Sequence, residues 1–144
     1  DAALVVDSFP DFLKRNFKSL FFSYKRHGLD AYYKEKYTDF NYGVMYSGEP
    51  ITVHGTMKTF KESKGLLAHE IGHNIESKLS LKFKQKWRDA IAQDKHSPSD
   101  YANNNKEEDF AETLKYYILY KEGLTRKYFP NRMKLIEDLI KKYN

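Results

Sequence analysis

The chain has 144 residues, 40% of them hydrophobic and 16% aromatic, which suits one folded domain with its own core rather than a disordered segment. It contains no cysteine, which excludes disulfide frameworks, thiolate zinc fingers, iron–sulfur ligation and cysteine nucleophiles, so any metal must be held by His, Asp or Glu. The formal net charge is +5, but the charges of both signs are dispersed along the chain; that permits an acidic partner without calling for one.

From the N-terminus, no basic stretch precedes the short apolar patch of DAALVVDSFPDFLKRNF, and the chain does not open on Met, so an intact signal peptide is not expected here. It is expected to be a trimmed mature protein or a catalytic domain, residues 1–144, excised from a larger one. No apolar run approaches the ~18 residues of a membrane helix, so no membrane span is expected. Phe9, Phe12, Leu13, Phe17, Leu20, Phe21 and Tyr24 recur at helical spacing, with Ser8 as N-cap, Pro10 near the first turn and Gly28 beyond the end; this predicts one amphipathic helix with an aromatic core stripe.

Two β-prone runs follow, Tyr42–Tyr46 and Ile51–His54, separated by Ser47-Gly48-Glu49-Pro50; they predict a hairpin or small sheet. Helices are then expected over Lys64–Leu79, Leu81–Gln93, Lys106–Glu122 (stopped by Gly123) and Asn131–Tyr143, with a polar loop from His96 to Asn105. The expected fold class is α+β: a mostly helical domain with a small sheet ahead of its central helix.

That central helix carries His69-Glu70-Ile71-Gly72-His73, an H-E-x-x-H sequence. At about 100° per residue the two histidines lie only about 40° apart, so both imidazoles can reach one Zn²⁺. Glu70 sits beside them, where it can hold and deprotonate a water. Leu67, Ala68, Ile71, Ile75 and Leu79 form the apolar stripe, and the histidines point away from it, as ligands facing a cleft would.

A catalytic zinc takes a third protein ligand and leaves a fourth position open. The metzincin extension would need Gly and His where this chain has Glu76 and Leu79, and the Asn-Glu motif of thermolysin-like enzymes is absent after the second His. The next acidic cluster is Glu107-Glu108-Asp109-Phe110-Ala111-Glu112, and spacing alone leaves the third ligand open between Glu107 and Glu108.

HEIGHNIE together with YANNNKEEDFAETLKYYILY closely resembles the catalytic domains of the anthrax lethal factor family, and most of all its branch of secreted Pro-Pro endopeptidases. The resemblance covers roughly positions 60 to 143. It implies a zincin-like fold, one zinc ion per chain and hydrolysis of a peptide bond by metal-activated water. By position it implies His69, His73 and Glu108 as ligands, Glu108 being seven residues after Tyr101. It also implies Glu70 as general base, Glu112 as a carboxylate orienting a liganding histidine, and Tyr101 as a phenol beside the metal that stabilises the oxyanion. A protein or peptide substrate is expected to add as a strand to the sheet edge, with Ile51, Thr52, Val53 and His54 the favoured edge and Tyr42–Tyr46 the other. The only Trp, Trp87, lies downstream of the zinc helix rather than upstream as in the Pro-Pro endopeptidases, so their specificity is not carried over.

The remaining histidines read otherwise: His27 as a helix C-terminal partner, His54 and His96 as surface residues; Glu76 reads as a solvated charge. The resemblance and the lack of cysteine imply a secreted protein, or the catalytic part of a delivered toxin, effector or virion protein. The competing class is a non-enzymatic basic module for nucleic acid or acidic surfaces, suggested by +5 and by lysines among aromatics as in Tyr32-Tyr33-Lys34-Glu35-Lys36-Tyr37, but no nucleic-acid-binding module is recognisable.

Overall fold

A computed structural model describes residues 2–16, 18–23, 44–46, 51–54 and 60–143. Their order is α1 (Ala2–Asp7), α2 (Asp11–Lys14), β1 (Leu20–Ser23), β2 (Val44–Tyr46), β3 (Ile51–His54), α3 (Phe60–Glu76), α4 (Leu81–Asp94), a 3-10 turn (Tyr101–Asn104), α5 (Lys106–Tyr128) and α6 (Pro130–Tyr143). The fold is mostly helical. None of the described helices is long and apolar enough to cross a membrane.

The N-terminal segment departs from the single helix expected of it. Pro10 lacks an N–H and disfavours helical backbone in the residue before it, so α1 stops short of Phe9. Ser8 does not cap the next helix; its hydroxyl donates back to Val5 O at 2.6 Å. After α2, Asn16 turns its amide onto Phe12 O at 2.6 Å, and Leu20–Ser23 leaves helix altogether to pair in parallel with β3. A short apolar run satisfies helical and strand periods alike, which is why spacing misassigned it. Gly28 and His27 lie outside the described residues.

Leu20 pairs with Ile51 and Ser23 with His54, whereas on the other side β2 runs antiparallel, Val44 opposite His54 and Tyr46 opposite Thr52. The strand order is β1-β3-β2, so Ile51–His54 is the middle strand and not the edge expected for substrate addition. Its hydrogen bonds are taken on both sides by the other two strands. Of the two β-prone runs, the described part of Tyr42–Tyr46 is the one at the margin, and it packs against α3.

The core joins Val5, Phe9, Phe12 and Leu13 to Ile51, to the α3 stripe Leu67, Ala68, Ile71 and Ile75, and to Trp87, Phe110, Leu114, Ile136 and Leu139. Helix α3 packs most extensively on α5. Their closest approach is at Gly72, where a Cβ would sit 2.9 Å from the Ala111 Cα, closer than real atoms approach. Only glycine permits that approach.

Helix α5 runs through Gly123 to Tyr128 instead of stopping there. A mid-helix glycine costs only ~1 kcal/mol, and here no atom lies within 4 Å of the space its side chain would fill. The helix ends at Phe129, ahead of Pro130.

One buried polar cluster fastens the helices behind the site. Arg132 is fully buried and grips Asp109 through Nε (2.9 Å) and Nη2 (2.8 Å), while its Nη1 reaches Asp94 Oδ2 at 3.3 Å. Asp94, at the end of α4, also accepts from the backbone N–H groups of Asn131 (2.8 Å) and Arg132 (3.1 Å), capping α6. Trp87 donates its indole N–H to Asp109 at 3.0 Å. Burial pushes the Asp109 carboxyl up from its usual value, against the pull of Arg132 and Trp87.

Candidate metal centre

Two helices build the site. On α3, the four-residue spacing stacks His69 and His73, whose rings meet edge to face with centroids 4.7 Å apart. On α5, the same spacing stacks Glu108 and Glu112 opposite them. Asn105 caps α5 by accepting from the Glu108 N–H at 2.8 Å, and so fixes the turn that presents Glu108.

The three metal-capable atoms form a nearly equilateral triangle. His69 Nε2 lies 3.1 Å from His73 Nε2 and 3.1 Å from Glu108 Oε2, and His73 Nε2 is 3.1 Å from the same oxygen. A tetrahedral zinc with bonds of ~2.0–2.1 Å requires ligand–ligand edges of about 3.3 Å. The donor set, two imidazoles and a carboxylate, is also one that zinc enzymes use. The residues therefore fit the ion, and His69, His73 and Glu108 are a metal-capable group among the described residues.

The rotation of α5 turns Glu107 and Glu108 to different neighbours. Glu107 turns toward Lys106 Nζ at 3.8 Å, and Glu108 turns to the histidines. Glu112 accepts the Nδ1 proton of buried His69 at 2.8 Å, which leaves Nε2 as the nitrogen aimed at the triangle. Glu70 stands alongside, its Oε1 4.0 Å from His69 Nε2. The Tyr101 hydroxyl donates to Glu108 Oε1 at 3.2 Å, and its ring lies 5.7 Å from that of His69.

The charged groups within the cluster hold one another in their ionised forms. Burial works against a charged His69, yet the hydrogen bonds to Glu108 and Glu112 raise its pKa to about 9. Burial likewise works against the two carboxylates, and the histidines hold Glu108 down to about 2 while His69 does the same for Glu112. Without metal, a doubly protonated His69 thus sits between two carboxylates at neutral pH.

Spacing singled out neither Ser99 nor Lys115. The Ser99 hydroxyl donates to Glu112 Oε1 at 2.7 Å, and Lys115 Nζ lies 3.7 Å from Glu112 Oε2. A serine two residues ahead of a tyrosine in a polar loop carries no periodic signal; Lys115 was legible only as the i+3 neighbour of Glu112.

The other sequence candidates lie elsewhere. The exposed His96 packs its ring edge-on against Tyr128. Glu76 is not solvated: it is buried, with Lys84 Nζ at 3.4 Å, in a small cavity lined by Leu79, Phe83, Trp87 and Phe110. His54 ends β3, and Trp87 is a core residue stacked on Phe83 and edge-on to Phe110. Among known proteins, no family model, no curated protein and no solved structure matches the chain.

Proposed function

We propose that the chain is a zinc-dependent endopeptidase of zincin-like α+β fold, in which His69, His73 and Glu108 hold one zinc ion and Glu70 is the general base. The observation that carries this reading is the 3.1 Å triangle of two imidazole nitrogens and one carboxylate oxygen, with a second carboxylate beside it that is not part of the triangle.

When bound, zinc acidifies water and polarises a carbonyl. The chain's own groups supply the remainder. Glu70 takes the proton from the attacking water and passes it to the leaving amine as the C–N bond breaks. The Tyr101 phenol exchanges its hydrogen bond to Glu108 for one to the substrate carbonyl oxygen as negative charge develops there. Glu112 holds His69 in the tautomer that keeps Nε2 available.

An extended peptide would add to β2, since β3 already has a strand on each side and β2 lies against α3. The lack of cysteine and the resemblance to the lethal factor family support a secreted or delivered enzyme acting on a protein substrate. The test is to load the protein with zinc and incubate it with a diverse peptide library. Cleavage by the wild type that Glu70→Gln abolishes, at equal zinc content, supports the reading. A library left intact by zinc-loaded protein argues for a binding module instead.

A further inference from the structure

Ser99 lies in the loop between α4 and the 3-10 turn, and its one hydroxyl makes two hydrogen bonds that point in different directions. It donates to Glu112 Oε1 at 2.7 Å and accepts from the Ala102 N–H at 3.2 Å. The first bond ends on the carboxylate whose other oxygen holds His69 Nδ1 at 2.8 Å. The second ends inside the turn that carries Tyr101. A further bond, from Ser97 Oγ to Ser99 O at 2.7 Å, sets the backbone from which the hydroxyl projects.

A carboxylate with one oxygen on a histidine can still rotate about its terminal torsion, which is broad and shallow. Fixing both oxygens removes that freedom. Glu112 is buried and has Ser99 on Oε1 and His69 on Oε2, with Lys115 a looser neighbour of the latter at 3.7 Å. A hydroxyl cannot be replaced here by an apolar group without leaving a buried carboxylate oxygen short of a donor.

We propose that Ser99 is a positioning residue of the metal centre: its hydroxyl locks the Glu112 carboxylate, and through it the His69 ring, to the turn that presents Tyr101. The inference rests on the zinc-site reading. Ser99 touches neither the ion nor a reacting atom, and it acts through Glu112.

The test is zinc affinity, measured for the full chain by competition with a chromogenic chelator, in wild type, Ser99→Ala, Ser99→Thr, Glu112→Ala and the double variant Ser99→Ala/Glu112→Ala. Loss of an outer partner of a metal-bound histidine weakens binding by about 10–100-fold, and Ser99→Ala is expected at the lower end, near tenfold. Ser99→Thr keeps the hydroxyl and restores most of the affinity. In the Glu112→Ala background the route is already cut, so Ser99→Ala changes affinity by no more than about twofold further. A role confined to holding the loop predicts the same loss in both backgrounds, and that result would overturn the proposal. So would Ser99→Ala with wild-type affinity. His69→Ala is the control for the underlying reading: if it keeps zinc, the metal centre itself is wrong, whatever Ser99 does.

Discussion

Glu112 and His69 lie 43 residues apart in sequence, on different helices, yet they meet at 2.8 Å with both side chains buried. Such a bond costs desolvation of a carboxylate and an imidazole, and it is sustained because each satisfies the other. It also determines which His69 nitrogen faces the triangle. Replacing Glu112 with Ala is expected to weaken zinc binding by about 10–100-fold while the helices remain formed. Chelator competition alongside far-UV circular dichroism measures both; unchanged affinity would remove Glu112 from the site.

The contact between Gly72 and Ala111 sets the distance between the histidine pair and the glutamate pair. A methyl at position 72 would meet backbone 2.9 Å away, and backbone cannot step aside as a side-chain tip can. Gly72→Ala is therefore expected to lose about 1–3 kcal/mol of stability through overpacking, and to weaken zinc binding as well. Urea unfolding of the metal-free variant reads the first effect. Wild-type stability with intact zinc binding would mean that this contact does not set the helix spacing.

The pH dependence follows from the three charged groups. His69 is raised from 6.5 to about 9, so its contribution is fully present below pH 6.5 and fades as pH rises through 9. Glu108 and Glu112 are lowered from 4.5 to about 2, so theirs is present above 4.5 and fades as pH falls through 2. The cluster accordingly stabilises the metal-free chain most between pH 4.5 and 6.5. Zinc must displace the Nε2 proton of His69, so its affinity should rise about tenfold per pH unit between 7 and 8. Calorimetry in two buffers of different ionisation enthalpy should register close to one proton released per zinc bound; affinity that is flat over this range would contradict it.

Arg132 is buried between Asp109 and Asp94, and Asp109 is the residue next to Glu108. Arg132→Met leaves two buried carboxylates without their cation, which is expected to cost about 3–5 kcal/mol. Thermal unfolding measures it, and a loss below 1 kcal/mol would mean that the cluster is dispensable.

Much of the site was legible because helical spacing is a short-range rule. His69 and His73 are one turn apart, as are Glu108 and Glu112, and nothing outside each helix decides that they share a face. Which glutamate faces the histidines depends on the rotation of α5, set by the Asn105 cap and by the contact at Gly72, and neither is visible in spacing. The β3 edge was misread for a related reason. Ile51–His54 has the composition of a strand, but only the parallel pairing of distant Leu20–Ser23 makes it central. That segment itself obeyed a helical period until Pro10 and Asn16 broke it. The Ser99 bond joins a loop to Glu112, 13 residues on, and loops advertise no partner.

In the proposed metal centre, His69, His73 and Glu108 hold the zinc ion and Glu70 does not. Elemental analysis of protein purified without added metal and then equilibrated with zinc tests it directly. About one zinc per chain is expected in wild type and in Glu70→Gln, and loss in His69→Ala and Glu108→Ala. Full zinc in Glu108→Ala, or none in wild type after equilibration, would contradict it.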